Sequence, residues 1–328
     1  MSKLDNMFIN ACQKNQKSVV MTFLKKGGID VNKRDELGFT SLYYSCEKGS
    51  KDIVRLLLEN DADASMMSND SLTCLHAVSK TGNKDIIQML VDAGADIDAL
   101  DKNDQSPLMY LINNRKTESA LLLLSLGADK SLLDSDGHSA LDLATSQGLK
   151  ELVDVLSSDQ DINSKDQYGN SLLHQAVHNN NSEIVKSLLA KDEIDIDALN
   201  DSSESALLNA VKKGSLIIVE LLVGKGADVN LPLLNGTTAL QIAASNNYID
   251  IAKVLVKNGA LLDEKNMRGT TALINAAKNG HNDFTAYLIE QEADVNLVDN
   301  EGQSALYYAT QDGFNEIVEQ LIMAGCEE

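Results

Sequence analysis

Asn235-Gly236-Thr237-Thr238-Ala239-Leu240-Gln241-Ile242-Ala243-Ala244, followed by Ile251-Ala252-Lys253-Val254-Leu255-Val256 and Asn258-Gly259-Ala260, returns almost letter for letter 33 residues later as Arg268-Gly269-Thr270-Thr271-Ala272-Leu273-Ile274-Asn275-Ala276-Ala277. With Leu240 as anchor, equivalent leucines stand at Leu42, Leu75, Leu108, Leu141, Leu173, Leu207, Leu273 and Leu306. The successive steps are 33, 33, 33, 32, 34, 33, 33 and 33. One period sustained along a chain is the mark of a solenoid, in which each unit buries its apolar face only against its neighbours. Each unit reads as a turn, a short helix opened by Gly-x-Thr/Ser-x-Leu, a Gly or Asn turn, and a second helix with an apolar stripe such as Ile251, Val254 and Leu255.

The same register carries Thr73-Cys74-Leu75-His76-Ala77, Ser106-Pro107-Leu108 and Ser171-Leu172-Leu173-His174-Gln175-Ala176, and the repeat closes Gly94-Ala95-Asp96-Ile97-Asp98, Gly226-Ala227-Asp228-Val229-Asn230 and Ala293-Asp294-Val295-Asn296. On these pieces the chain resembles the ankyrin repeat family, whose unit is helix-turn-helix with a Thr-Pro-Leu-His-x-Ala signature. The resemblance implies an all-α, curved solenoid with short hairpin-like turns. It also implies that turn tips and first helices line a concave wall that recognises proteins, and that His76 and His174 bond the neighbouring turn backbone.

The expected organisation is a single elongated domain over residues 1–328: a partial capping repeat at 6–33, internal repeats at 34–298 and a last repeat at 299–328. In the cap, Phe8, Ala11, Cys12, Val19, Val20, Phe23 and Leu24 supply the apolar side. In the last repeat Leu321 and Ile322 are expected to face inward, leaving Phe314 and Met323 at an exposed end. Arg115 replaces the usual inter-helix Gly, where a positive φ is normal, and predicts an altered turn there. The one-residue loss near Ser157–Asn163 and the gain near Lys191–Asp197 belong in loops, since either would rotate a helix face by about 100°. They are expected to alter the local curvature. The acidic band from Asp159 to Asp201 reads either as a solvated edge or as a docking strip for a basic partner.

Acids outnumber bases 49 to 28, for a net charge of −21. This opposes binding to a nucleic-acid backbone and to anionic membranes, and favours a protein partner with a basic surface. No stretch reaches the roughly 20 apolar residues of a membrane span, and Met1-Ser2-Lys3-Leu4-Asp5-Asn6 lacks the pattern of a signal peptide. A cytoplasmic monomer is the expectation, with non-classical export left open. The Asn-x-Ser/Thr triplets at Asn69, Asn180, Asn200 and Asn235 fit turns, where Asn is favoured. Cys12 and Cys46 occupy matching first-helix positions and read as reduced core thiols.

No phosphate loop, nucleophile elbow or His-Glu-x-x-His occurs. Asp134-Ser135-Asp136-Gly137 opens like a calcium loop but lacks the remaining ligands and aligns with the turns of the other repeats. His174 and His178 share a helix face without further zinc ligands. No catalytic residue, cofactor or metal is therefore expected. The variable positions three, five and six before each anchor and five and six after it are the expected contact surface. Its standouts are Leu37, Phe39, Leu72, Lys80, His138, Tyr168, Lys212, Leu234, Met267, Arg268 and Lys278, with Tyr43 and Tyr44 read as either contact or core. The leading reading is a non-catalytic binder of a folded protein or extended peptide, serving as inhibitor, adaptor or effector. An architectural or self-associating protein is the alternative, and a groove enzyme or metal protein the remote one.

Overall fold

The computed structural model describes residues 3–158 and 162–326. Contacts divide the chain into two compact units, residues 1–160 and 161–328. The first unit holds α1 (Lys3–Gln13), α2 (Lys17–Lys26), α3 (Ser41–Glu47), α4 (Lys51–Leu58), α5 (Cys74–Val78), α6 (Lys84–Asp92), α7 (Pro107–Asn113), α8 (Thr117–Ser125), α9 (Ala140–Ser146) and α10 (Lys150–Leu156). The second holds α11 (Leu172–His178), α12 (Ser182–Leu188), α13 (Ala206–Lys212), α14 (Leu216–Gly224), α15 (Ala239–Ser245), α16 (Ile249–Lys257), α17 (Ala272–Lys278), α18 (Asn282–Glu290), α19 (Ala305–Gln311) and α20 (Asn315–Met323). Odd-numbered helices pack on the next odd-numbered helix within each unit, and each packs on the even-numbered helix that follows it. Among the described residues the only extended pairing is a set of isolated bridges in the turns, such as Leu133 with Ser139 and Val298 with Ser304. The fold is the all-α helix-turn-helix solenoid expected from the period.

Local chemistry explains where the helices begin. The Ser or Thr two residues before the anchor leucine is extended and caps the first helix: Thr238 Oγ1 accepts from the Gln241 N–H at 3.3 Å while Gln241 Oε1 accepts from the Thr238 N–H at 3.3 Å. This reciprocal box satisfies two helix-end donors at once. The anchor leucines from Leu42 to Leu273 are at most 2% exposed, and burying each contributes about 1.5–3 kcal/mol. Second helices bury one stripe, as Ile53, Val54 and Leu57 do on α4.

The turn between the helices keeps a positive φ whatever residue fills it. Gly49 has φ 70°, and Arg115, Asn180 and Asn247 have 56°, 53° and 59°. The altered turn expected at Arg115 is therefore corrected: its N–H bonds the Ile112 carbonyl at 2.8 Å as Gly49 bonds Cys46 at 3.0 Å. Its guanidinium reaches the Gln147 carbonyl at 2.9 Å, a contact that offsets the cost of a left-handed non-glycine residue. The register changes do fall in loops, after α10 and after α12. Asp159, Gln160 and Asp161 of the acidic band lie outside the described residues. Cys12, Cys46 and Cys74 are buried free thiols; burial pushes the Cys12 thiol up to about 11. In the last repeat Leu321 is fully buried, but Ile322 is 57% exposed. Its inward placement is corrected, because the residue next to the buried stripe turns away from α19.

Candidate functional site: a polar cleft on the second unit

In most repeats an Asp or Asn seven residues before the anchor folds the turn, with Ser68 and Leu233 at that position in the other two. Asp299 Oδ1 accepts the N–H groups of Glu301 at 2.9 Å and Gln303 at 3.0 Å, and Asn266 Oδ1 does the same for Arg268 at 2.9 Å and Thr270 at 3.1 Å. Successive tips are then tied backbone to backbone: Met267 N–H donates to the Asn235 carbonyl at 2.9 Å, and Asn300 N–H to the Arg268 carbonyl at 3.0 Å. Gly269 must be glycine for this approach. Its φ is 76°, and a Cβ there would stand 2.5 Å from Asn300 Oδ1 and 2.7 Å from the Asn300 nitrogen.

Three tips so tied, with the exposed sides of α15, α17 and α19, enclose a cleft of about 850 Å³. Its walls carry Met267 and Arg268 from one tip, Asn300 and Glu301 from the next, and Asn275, Lys278, Asn279 and Tyr308 from the helices. Tyr308 donates its hydroxyl to Asp299 Oδ2 at 2.6 Å. That bond above all, with burial, raises the phenol to about 12. Burial works against ionisation of Asp299, but the Tyr308 hydroxyl, the two backbone N–H groups and Lys278 outweigh it and hold the carboxyl below its ordinary value. Lys278 Nζ lies 4.3 Å from the centre of the Tyr308 ring, a cation–π distance. Leu234, on the preceding tip, is 69% exposed and Met267 71%.

The cleft gathers Met267, Arg268 and Lys278 of the expected surface. The remaining second-unit candidates lie apart from its lining: Leu234 beside it, Tyr168 exposed at its own tip, and Lys212 ion-paired with Glu204. In the first unit Leu37 is exposed at a tip, Leu72 is half-buried and Lys80 is ion-paired with Glu47. Phe39 is half-buried, stacked on Tyr43 at 4.2 Å, and Tyr43 is 8% exposed. Tyr43 is thus core, while Tyr44 spends its hydroxyl on Asp35 at 2.6 Å. Tyr110 makes the same bond to Asp101 at 2.9 Å. This Tyr–Asp clamp spans nine residues in three repeats, a spacing that was open to view in the sequence.

Residues seven before and two after the anchor escaped the sequence rule, yet Asn266, Asp299, Asn275 and Tyr308 all line the cleft. The signal was available for Asn275 and Asn279, which stand four apart and so share one face of a helix.

His138 is half-buried, with Nδ1 3.5 Å from Asp134 Oδ1. Ligand atoms of Asp134, Asp136 and His138 lie within 4.8 Å of one another. Asp134 is nevertheless occupied as the other turn residues are: Oδ1 accepts from the N–H groups of Asp136 and His138, and Oδ2 from the Gln105 amide. Neutral Asn200 and Asn266 perform that role in other repeats, so the role needs no cation. His174 does not pair with His178 as a ligand: Nδ1 accepts the Ser171 N–H at 3.2 Å and Nε2 reaches the Glu204 carbonyl at 2.9 Å. His76 does the same with Thr73 and Gln105.

A family profile described as "Ankyrin repeats (3 copies)" matches residues 3–68, 75–166, 126–200, 173–266 and 260–328. Among solved structures, the chain is similar to the ankyrin repeat domain of Bcl-3, titled a unique member of the IkappaB protein family. The TM-score is 0.57 and the identity 31%, over 62% of this chain and 94% of that one. Among curated proteins, human BCL-6 corepressor-like protein 1 is 35% identical over 66 residues, 20% of this chain and 4% of that protein. The I-Kappa-B like protein C2 of Microplitis demolitor bracovirus (isolate Webb) is 33% identical over 86 residues, 26% of this chain and 48% of that protein. The chain thus covers less than half the length of either curated relative.

Proposed function

Because this chain belongs to the ankyrin repeat family, we propose that it is a non-catalytic protein-interaction module that binds a folded protein or an extended peptide through its hairpin tips and first helices. The observation that carries this reading is the second-unit cleft, where exposed Met267 and neighbouring Leu234 stand beside amides and cations on a hydrogen-bonded framework. Apolar anchors set among polar groups on rigid supports are what energetic centres of interfaces look like. The likeness to the Bcl-3 ankyrin repeat domain and to the bracovirus I-Kappa-B like protein C2 supports a protein-interaction role, which we read as that of an inhibitor, adaptor or effector. The described residues include no helix long and apolar enough to cross a membrane, and action in the cytoplasm is part of the proposal. Affinity capture from lysate with the wild type and the double variant Leu234→Ala/Met267→Ala tests it. A partner lost with the double variant and kept with Ile217→Ala, on exposed α14 surface, supports the reading. A partner kept by both variants contradicts it.

A second reading, self-association through the last repeat, is favoured by Ile322 at 57% and Met323 at 88% exposure. Light scattering tests it: a mass that rises with concentration supports it, and a constant monomer mass removes it.

A further inference from the structure

Lys80, Lys212 and Lys278 each stand five residues after an anchor leucine. Lys80 is ion-paired with Glu47, at its own register position one repeat earlier, and Lys212 with Glu204, three before its anchor. At the two positions equivalent to those glutamates Lys278 has Ser245 and Thr270 instead. Its ammonium rests over the Tyr308 ring. Asp299 is near enough for Lys278 to help depress its pKa, yet its oxygens are taken by Tyr308 and by two backbone N–H groups. Arg268, exposed in the same cleft, forms no ion pair among the described residues. Both cations line one cleft in a chain where acids outnumber bases 49 to 28, and among the described residues neither is hydrogen-bonded to a carboxylate, so their N–H donors are left for a partner's negative charge.

We propose that the cleft binds an extended acidic peptide segment of a partner protein, with its carboxylates on Arg268 and Lys278 and an aliphatic side chain on Met267 and Leu234. This rests on the cleft being the binding face. The extended form follows from spacing. Neighbouring repeats are about one helix diameter, ~10 Å, apart, which an extended polyproline II segment covers in one turn of three residues at ~3.1 Å each, with residues three apart on the same face. Leu234 and Met267 occupy the same register position in adjacent repeats, so the segment presents aliphatic residues three apart with acidic residues beside the second. Asn275 and Asn279 offer both donors and acceptors to its main chain. Glu301, the equivalent of Arg268 one repeat on, bounds the cationic stretch and opposes acids placed beyond it. The local sign is thus opposite to the basic partner that net charge suggests.

The test is selection of a random 12-residue phage-displayed peptide library on the full chain, followed by binding measurements with the enriched peptides as synthetic probes. The expected result is enrichment of Asp or Glu next to aliphatic residues. Binding should weaken about fivefold or more in Arg268→Gln/Lys278→Gln and tighten in Glu301→Gln. Circular dichroism confirms that each variant is folded. Enriched peptides that are basic and weakened by Glu301→Gln overturn the acidic inference while leaving the binding face intact. Enriched peptides indifferent to these substitutions and to Leu234→Ala/Met267→Ala overturn the binding face and the inference together. A selection that enriches no peptide overturns the peptide inference alone.

Discussion

Lys278 holds its ammonium 4.3 Å above the ring of Tyr308. Through the Tyr308 hydroxyl, 2.6 Å from Asp299 Oδ2, one cation, one ring and one carboxylate join a first helix, the next first helix and the tip before it. Tyr308→Phe keeps the ring under Lys278 and removes only the bond to the carboxylate. Urea denaturation should show a loss of about 1.5–3 kcal/mol, the range for hydrogen bonds to charged groups. Lys278→Gln should cost less, about 0.5–1 kcal/mol, as an exposed cation–π contact.

Acid sensitivity should trace to His76 and His174. Burial, above all, lowers both below the ordinary 6.5, and each Nδ1 accepts a backbone N–H that a ring proton would oppose. A base depressed in the folded state is neutral there while the unfolded chain takes up protons. Stability is therefore complete above the unfolded value and is lost as pH falls through about 6.5 toward the lowered folded values. Gln241 fills the same register position and makes the same bonds, to the Thr238 N–H at 3.3 Å and the Thr270 carbonyl at 3.0 Å. His76→Gln/His174→Gln should therefore keep most of the stability at pH 7.5 and flatten its decline between about pH 7 and pH 5, measured by thermal melts.

Gly269 and Gly302 separate strain from collision. Both have positive φ, 76° and 77°, but a Cβ at Gly302 meets nothing within 4 Å while one at Gly269 runs into Asn300 and Asp299. Gly302→Ala should cost the backbone term alone, about 1–2 kcal/mol. Gly269→Ala should cost about 1–3 kcal/mol more and weaken ligand binding in the cleft. Denaturation curves of the two variants give the difference.

Added salt should raise the melting temperature. Exposed ladders such as Lys17 with Asp52 at 2.8 Å and Lys84 with Glu118 at 3.3 Å join successive second helices. Such exposed pairs contribute little, whereas repulsion within a chain of net charge −21 is screened over a Debye length of about 10 Å at 0.1 M. Melts from 20 mM to 500 mM sodium chloride measure this; a falling melting temperature would show that the ladders dominate.

The period was legible because Leu240 and its equivalents must be buried in every repeat, and the Ser or Thr caps must stand two residues before them. His76 and His174 were legible for the same reason, as their bonds lie within one repeat and its neighbour's backbone. The cleft was only partly legible. Met267, Arg268 and Lys278 occupy positions that face outward in any such repeat, but Asp299 and Tyr308 reach the wall only because their side chains bond each other across nine residues. Phe39 and Tyr43 show the other side: Phe39 stands at an outward register position, but its ring stacks on Tyr43, which was read as contact or core and is buried, and the pair closes part of the surface Phe39 was expected to offer. Ile322 exposes itself where the helical stripe alone suggested burial, because it lies one step round the helix from Leu321.

A photocrosslinking amino acid placed at Met267, and separately at Ile217 on the second-helix side, tests the binding face most directly. Irradiation in lysate should give a discrete protein adduct from position 267, reduced by Arg268→Gln/Lys278→Gln, and none from position 217. The same adduct from both positions, or an adduct from 217 alone, would contradict the assignment of binding to the cleft.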